Sequence, residues 1–151
     1  MLFTIIKFIH ILFAIIAFGF NATYALWIIR AQQHPEHLDF ALRGVKILDD
    51  YFANPAYLLL LVTGLTMVFL AGYNILTTFW LIVALVLWLV AIVLGYGVYT
   101  PTLSRQIRVL AASGPQSAEF RFLSTRATVV GIALAVLVLL ILVMMVFKPT
   151  L

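Results

Sequence analysis

The chain has no cysteine. That rules out a disulfide, a thiolate nucleophile and any cysteine-ligated metal, and it leaves the redox compartment open. Acids are nearly as scarce: Glu36, Asp39, Asp49, Asp50 and Glu119 are the only carboxylate side chains. From Tyr51 to Ser104 there is no Asp, Glu, Lys, Arg or His at all. Charged residues make up 9% of the chain and hydrophobic ones 66%, where a soluble domain carries about 25% charged residues. So little polar surface cannot cover a water-soluble protein of 151 residues. The solvent of most of this chain is therefore lipid. The net charge of +4 reflects few acids rather than many bases. No basic block is dense enough for nucleic acid. Phosphate-binding loops, zinc motifs, nucleophile elbows and paired carboxylates are also missing.

What is present is apolar length. Spans of about 20 apolar residues cross a bilayer core of about 30 Å, and the sequence predicts four, at about 3–29, 55–70, 77–100 and 128–147. The first is too long and lacks the early basic residues of a signal peptide, so it is expected to be a retained, tilted span. Between spans 1 and 2, His34-Pro35 is a turn signal. Leu38, Ala41, Leu42, Val45 and Leu48 then recur at helical spacing opposite Glu36, Asp39, Arg43, Lys46 and Asp50. This predicts an amphipathic surface helix over 36–50, with Asp39 and Arg43 as an i,i+4 pair. Asn54-Pro55 fits a helix start, and Ala71–Asn74 is a tight turn. Thr100-Pro101 is expected to weaken or kink span 3 as it ends. Ser113 with Gln116 resembles a capping box for the last helix. Tyr73, Phe79 and Trp80 are expected at one membrane interface, and Tyr51, Tyr96 and Tyr99 near the other.

The fold class is thus all-α: an antiparallel four-helix transmembrane bundle forming a single domain over 1–151. Arg30, Arg43, Lys46, Arg105, Arg108, Arg121 and Arg126 lie in the two long connections, against Lys7 and Lys148 on the other side. That bias places the connections in the cytoplasm and both termini outside a bacterial plasma membrane.

Span 1 is the one span with titratable groups within its apolar run. Lys7, His10, Ala14, Ala17, Asn21, Tyr24 and Ile28 alternate at three and four residues, which keeps them on one face. That face is expected to point inward, because His or Asn in lipid lacks partners. Asn21 and Tyr24 are expected to hydrogen-bond across helices or to line a small polar cavity, and Lys7 to act as an interfacial anchor. His10 lies roughly 9 Å inside the boundary, from the helical rise. It is either a hydrogen-bonded interior histidine or the ligand of haem iron or copper. Met67, Met144 and Met145 lie within roughly 5 Å of it in depth by the same rise. They either fill gaps between helices or supply thioether donors to such a cofactor. His34 and His37 share a loop but no third fixed ligand, and are expected to be solvated. Thr63-Gly64-Leu65-Thr66, and Gly131 with Ala135, read as small-residue helix contacts.

The segments KFIH at Lys7–His10, GVKILDDYFANPAYLLLLVTGL at Gly44–Leu65 and VMMVFKP at Val143–Pro149 resemble the bacterial membrane-protein family called domain of unknown function 2269. The resemblance implies a four-span fold and no particular reaction. More distantly, a histidine early in span 1 is similar to the pattern of HemJ-type protoporphyrinogen oxidases and CopD-type copper-resistance membrane proteins. That likeness implies haem b or copper at His10. Two functional classes follow. One is a non-catalytic accessory or interaction subunit, whose partners are the lipid bilayer and other membrane subunits or copies of itself. The other is a redox or metal protein centred on His10.

Overall fold

The computed structural model describes residues 1–150, which are predominantly helical and hold no strand. Four helical stretches, Leu2–Gln32, Pro35–Ala71, Phe79–Ser113 and Ala118–Phe147, are long and apolar enough to cross a membrane. Helix α1 covers Leu2–Gln32, α2 Leu38–Leu48, α3 Asn54–Ala71, α4 Phe79–Leu94, α5 Thr100–Ser113 and α6 Ala118–Phe147. Helix α1 packs mainly on α3, and α4 on α6, while α2 and α5 lie against each other and against α1 and α6 respectively.

The amphipathic stretch forms as expected. His34 is extended, Pro35–His37 makes a short 3-10 turn, and α2 follows. Its apolar stripe of Leu38, Ala41, Leu42 and Val45 is buried. Arg43 donates to Asp39 at 2.7 Å on the opposite side, and Lys46 pairs with Asp50.

One expected helix start is absent, and the helix expected to weaken or kink at Thr100-Pro101 continues through a wide turn. Asn54 is not an N-cap, because the chain runs from α2 into α3 through a π-helical turn, Asp49–Ala53. Pro101 does not end α4. A second π-helical turn, Gly95–Tyr99, carries the chain on into α5. The reason is shared. Proline lacks an N–H and its ring clashes with the carbonyl four residues back. A π turn widens the coil just ahead of it. The Asn54 N–H closes one such turn on the Asp49 carbonyl, and the Thr100 N–H closes the other on the Gly95 carbonyl. The residue before each proline thus ends a wide turn, and the helix continues.

The last helix also starts earlier than its apolar run. Its N-cap is Ser117, whose hydroxyl accepts from the Phe120 N–H at 3.2 Å. Ser113 instead ends α5, ahead of Gly114 at φ +73°. The polar turns of α6 are held to α5 by Arg105, which donates to Glu119 at 3.0 Å. Lys148 closes α6 with φ +45°, and Pro149 prevents continuation. The α3–α4 connection turns on Gly72 at φ +70°, and α4 begins at Phe79.

Candidate functional site

Two regions of the bundle bring polar side chains together. The first is a cavity of about 600 Å³ with walls from α1, α3, α4 and α6. Its α1 wall includes Lys7, His10, Ala14 and Ala17, of which Ala17 is buried, His10 and Ala14 are half-buried and Lys7 is exposed. Alanine at two turns of that wall leaves the space. The α3 wall includes Tyr57, Gly64 and Met67, the α4 wall Trp80, Ala84 and Trp88, and α6 adds Val138, Met145 and Lys148.

His10 is half-buried and sits against Gly64. A Cβ there would come within 3.1 Å of its Cε1. Glycine at 64 is therefore what lets the imidazole lie close to α3. The ring's Nδ1 is 2.8 Å from the Thr63 hydroxyl. That hydroxyl has one proton, and the Leu59 carbonyl lies 2.6 Å from it. We assign the hydroxyl proton to this carbonyl and Nδ1–H as donor to Thr63, which leaves the lone pair on Nε2. Met67 and Met145 line the same cavity. Met145 also packs on the small apolar cluster of Val68, Trp80 and Leu81. Met144 is half-buried and is not part of the cavity wall.

Lys7 and Lys148 both reach this cavity. The Lys148 ammonium lies 5.2 Å from the Trp80 ring centre and 5.9 Å from that of Tyr73, within cation–π range. Tyr73 and Trp80 themselves meet edge to face at 5.6 Å. The other end of the cavity is fixed by hydrogen bonds. Asn21 donates to the Tyr57 hydroxyl at 2.8 Å, and the Trp88 indole N–H donates to the Tyr57 carbonyl at 3.1 Å.

The second region surrounds the two π turns, and the sequence did not point to it. Asp49 is 5% exposed. It is not part of the solvated stripe; its Oδ2 accepts from the Thr100 hydroxyl at 2.7 Å and from Asn54 Nδ2 at 3.3 Å. Tyr99 is buried and stacks on Tyr24, ring centres 6.2 Å apart and 9° from parallel. Gly131 of α6 lies beside this ring, and a Cβ there would make an ordinary 3.5 Å contact with Tyr99. The available signal was the pair of X-Pro dipeptides, Asn54-Pro55 and Thr100-Pro101, each just past a predicted interface. Read as a helix start and a kink, they give no sign of a shared partner. His34 and His37 are exposed and flank Glu36 at 3.6 and 3.9 Å. No group of three or more His, Cys, Asp or Glu is gathered for a metal among the described residues.

The Tyr24 hydroxyl and Gln106 Oε1 are buried without a hydrogen-bond partner. Removing an unsatisfied buried hydroxyl removes its desolvation penalty. Tyr24→Phe is expected to stabilise the protein by about 1 kcal/mol, whereas Tyr57→Phe takes away the acceptor for Asn21 and destabilises it. Thermal unfolding of both variants in one detergent measures this; a Tyr24→Phe variant less stable than the parent would show that the hydroxyl is bonded.

Comparison with curated proteins and with solved structures gives no match. The family model described as a predicted integral membrane protein, domain of unknown function 2269, matches residues 4–149. With nearly its whole length inside that match and four membrane-length helices, the chain belongs to this family of integral membrane proteins.

Proposed function

We propose that this protein is a non-catalytic binding or accessory subunit of the bacterial plasma membrane, whose cavity seats a membrane-soluble molecule. The observation that carries this reading is the cavity itself: about 600 Å³, apolar over most of its wall, with a few fixed polar groups. That is the size and character of a small-molecule site. In this reading the bundle is antiparallel, with the termini and the Gly72–Thr78 turn outside. The seven bases of the two long connections against Lys7 and Lys148 support that orientation. The cavity then opens at the outer leaflet, and the Asp49 region lies toward the cytoplasm.

The test is native mass spectrometry of protein extracted from its own membranes. A bound molecule of defined mass is expected on the parent and is expected to be lost in Ala14→Trp, whose indole fills the space, at an unchanged melting temperature. A parent without any bound molecule, or one retained equally by Ala14→Trp, would overturn the reading.

One observation favours a second reading, a haem b- or copper-binding protein. His10, Met67 and Met145 share one cavity, and the Thr63 bond leaves Nε2 free to act as a ligand. Imidazole with thioether suits a haem axial pair or Cu(I), which would bring one-electron chemistry to the site. This reading requires a Soret band, or copper in stoichiometric amount, that disappears in His10→Ala.

A further inference from the structure

The charges of the cavity identify the class of molecule it would hold. Lys7 and Lys148 both line it, and none of the five carboxylates does. Asp39, Asp50 and Glu119 are taken by Arg43, Lys46 and Arg105, and Asp49 is held by Asn54 and Thr100. Among the described residues, two lysines thus line one apolar cavity whose wall holds no carboxylate side chain, and both keep exposed surface. Lys148 is held in place on the Trp80 and Tyr73 rings and by its own position closing α6. The wall beyond the lysines is apolar: Ala14, Ala17, Leu81, Ala84 and Val138 all contribute. A ligand that satisfies both parts has an anionic head and a hydrocarbon chain. The number of lysines refines the head. A carboxylate or a phosphodiester carries one negative charge, whereas a phosphomonoester carries about −1.5 to −2 near neutral pH.

We propose that the cavity binds a single-chain lipid phosphomonoester, its phosphate held between Lys7 and Lys148 and its chain lying along Ala14, Ala17 and Ala84. This rests on the reading of the cavity as a ligand seat and names the ligand's chemistry. Lysine suits the role, since it meets a phosphate as a compact point charge.

The test uses full-length protein in nanodiscs of neutral phosphatidylcholine. Four additions are compared by native mass spectrometry and by the shift in melting temperature: oleoyl lysophosphatidic acid, oleate, mono-olein and inorganic phosphate. Lysophosphatidic acid is expected to bind about tenfold more tightly than oleate, as one lost charge-assisted contact predicts. Lys7→Gln and Lys148→Gln are each expected to weaken it by a similar factor and to leave mono-olein unchanged. Mono-olein binding as tightly as lysophosphatidic acid, or lysine variants with unaltered affinity, would overturn the phosphate assignment while the cavity remained a ligand seat. Inorganic phosphate competing at equal concentration would overturn the lipid part. If none of the lipids binds and Ala14→Trp alters nothing, the seat and the phosphate assignment both fall.

Discussion

Leu42→Ala is expected to lower the unfolding free energy by about 2–5 kcal/mol, the usual range for a fully buried leucine. Leu42 is 0% exposed. It lies on the apolar stripe of α2, a helix whose other face carries Asp39, Arg43 and Lys46. Its alternative environment in the unfolded state therefore includes water, and the hydrophobic effect acts in full. Leucine at the lipid face is a different case. Hydrocarbon tails are as apolar as the side chain, so no comparable force favours the folded state there. Val136→Ala, at a position 51% exposed along α6, is expected to change stability by less than about 0.5 kcal/mol. Unfolding in mixed micelles of rising denaturing-detergent fraction, run on both variants, measures the contrast. Equal losses at the two positions would show that α2 is not packed as described. Leu103, 0% exposed on α5, is expected to behave as Leu42 does, because α2 and α5 form one layer.

Gly64→Leu is expected to cost about 1–3 kcal/mol through overpacking and to disable the cavity. The first added carbon would already lie 3.1 Å from His10 Cε1. The ring then has to swing away, and its 2.8 Å bond to Thr63 is broken. The rest of the leucine side chain projects into space that the cavity now occupies. Any ligand held there is expected to be lost, with either the lipid or the haem reading. Two measurements test this together: the melting temperature, and the mass of the extracted protein. A conservative control is Gly64→Ala, where the imidazole needs to give by only a few tenths of an ångström, and a much smaller effect is expected. If Gly64→Leu is as stable as the parent and keeps its ligand, the α1–α3 contact is not the cavity wall described.

The sequence conveys span number well because it is a matter of length and hydropathy, which tertiary packing does not alter. On α1 the sequence marks one side, on which His10, Asn21 and Tyr24 are withdrawn from the surface and Lys7 is exposed. Lys7, His10, Asn21 and Tyr24 stand out against leucine, isoleucine and phenylalanine, and their spacing fixes their common side. The facing walls were not legible. Helices α3, α4 and α6 are apolar all round, so periodicity marks no face on them. Tyr57, Trp88 and Val138 reach the cavity for reasons visible only in three dimensions. The charged stripe of the surface helix includes Asp50, whose pairing with Lys46 follows ordinary helical spacing, and gives Asp49 no place. The π turn rotates the two side chains apart from that pattern, and no local signal announces such a turn except the proline that follows it. Proline rules derived from isolated helices predict a helix start at Asn54 and a weakened or kinked helix at Thr100. In lipid an interrupted backbone would leave polar groups without partners, so continuation through a wide turn is favoured.

The Asp49 contacts have a further consequence. Apolar spans of leucine, valine, isoleucine and alanine can slide along one another with little change in contact quality, since one aliphatic ridge resembles the next. A helical turn is about 5.4 Å long. Displacing the Gly95–Ser113 segment by one turn would carry Thr100 out of hydrogen-bond reach of Asp49 and leave a buried carboxylate short of a donor. Because Asn54 and Thr100 sit at equivalent places before their prolines, one side chain sets the axial register between two long helices. The vertical alignment of α3 against α5 is thus indexed by a single carboxylate beside the two π turns.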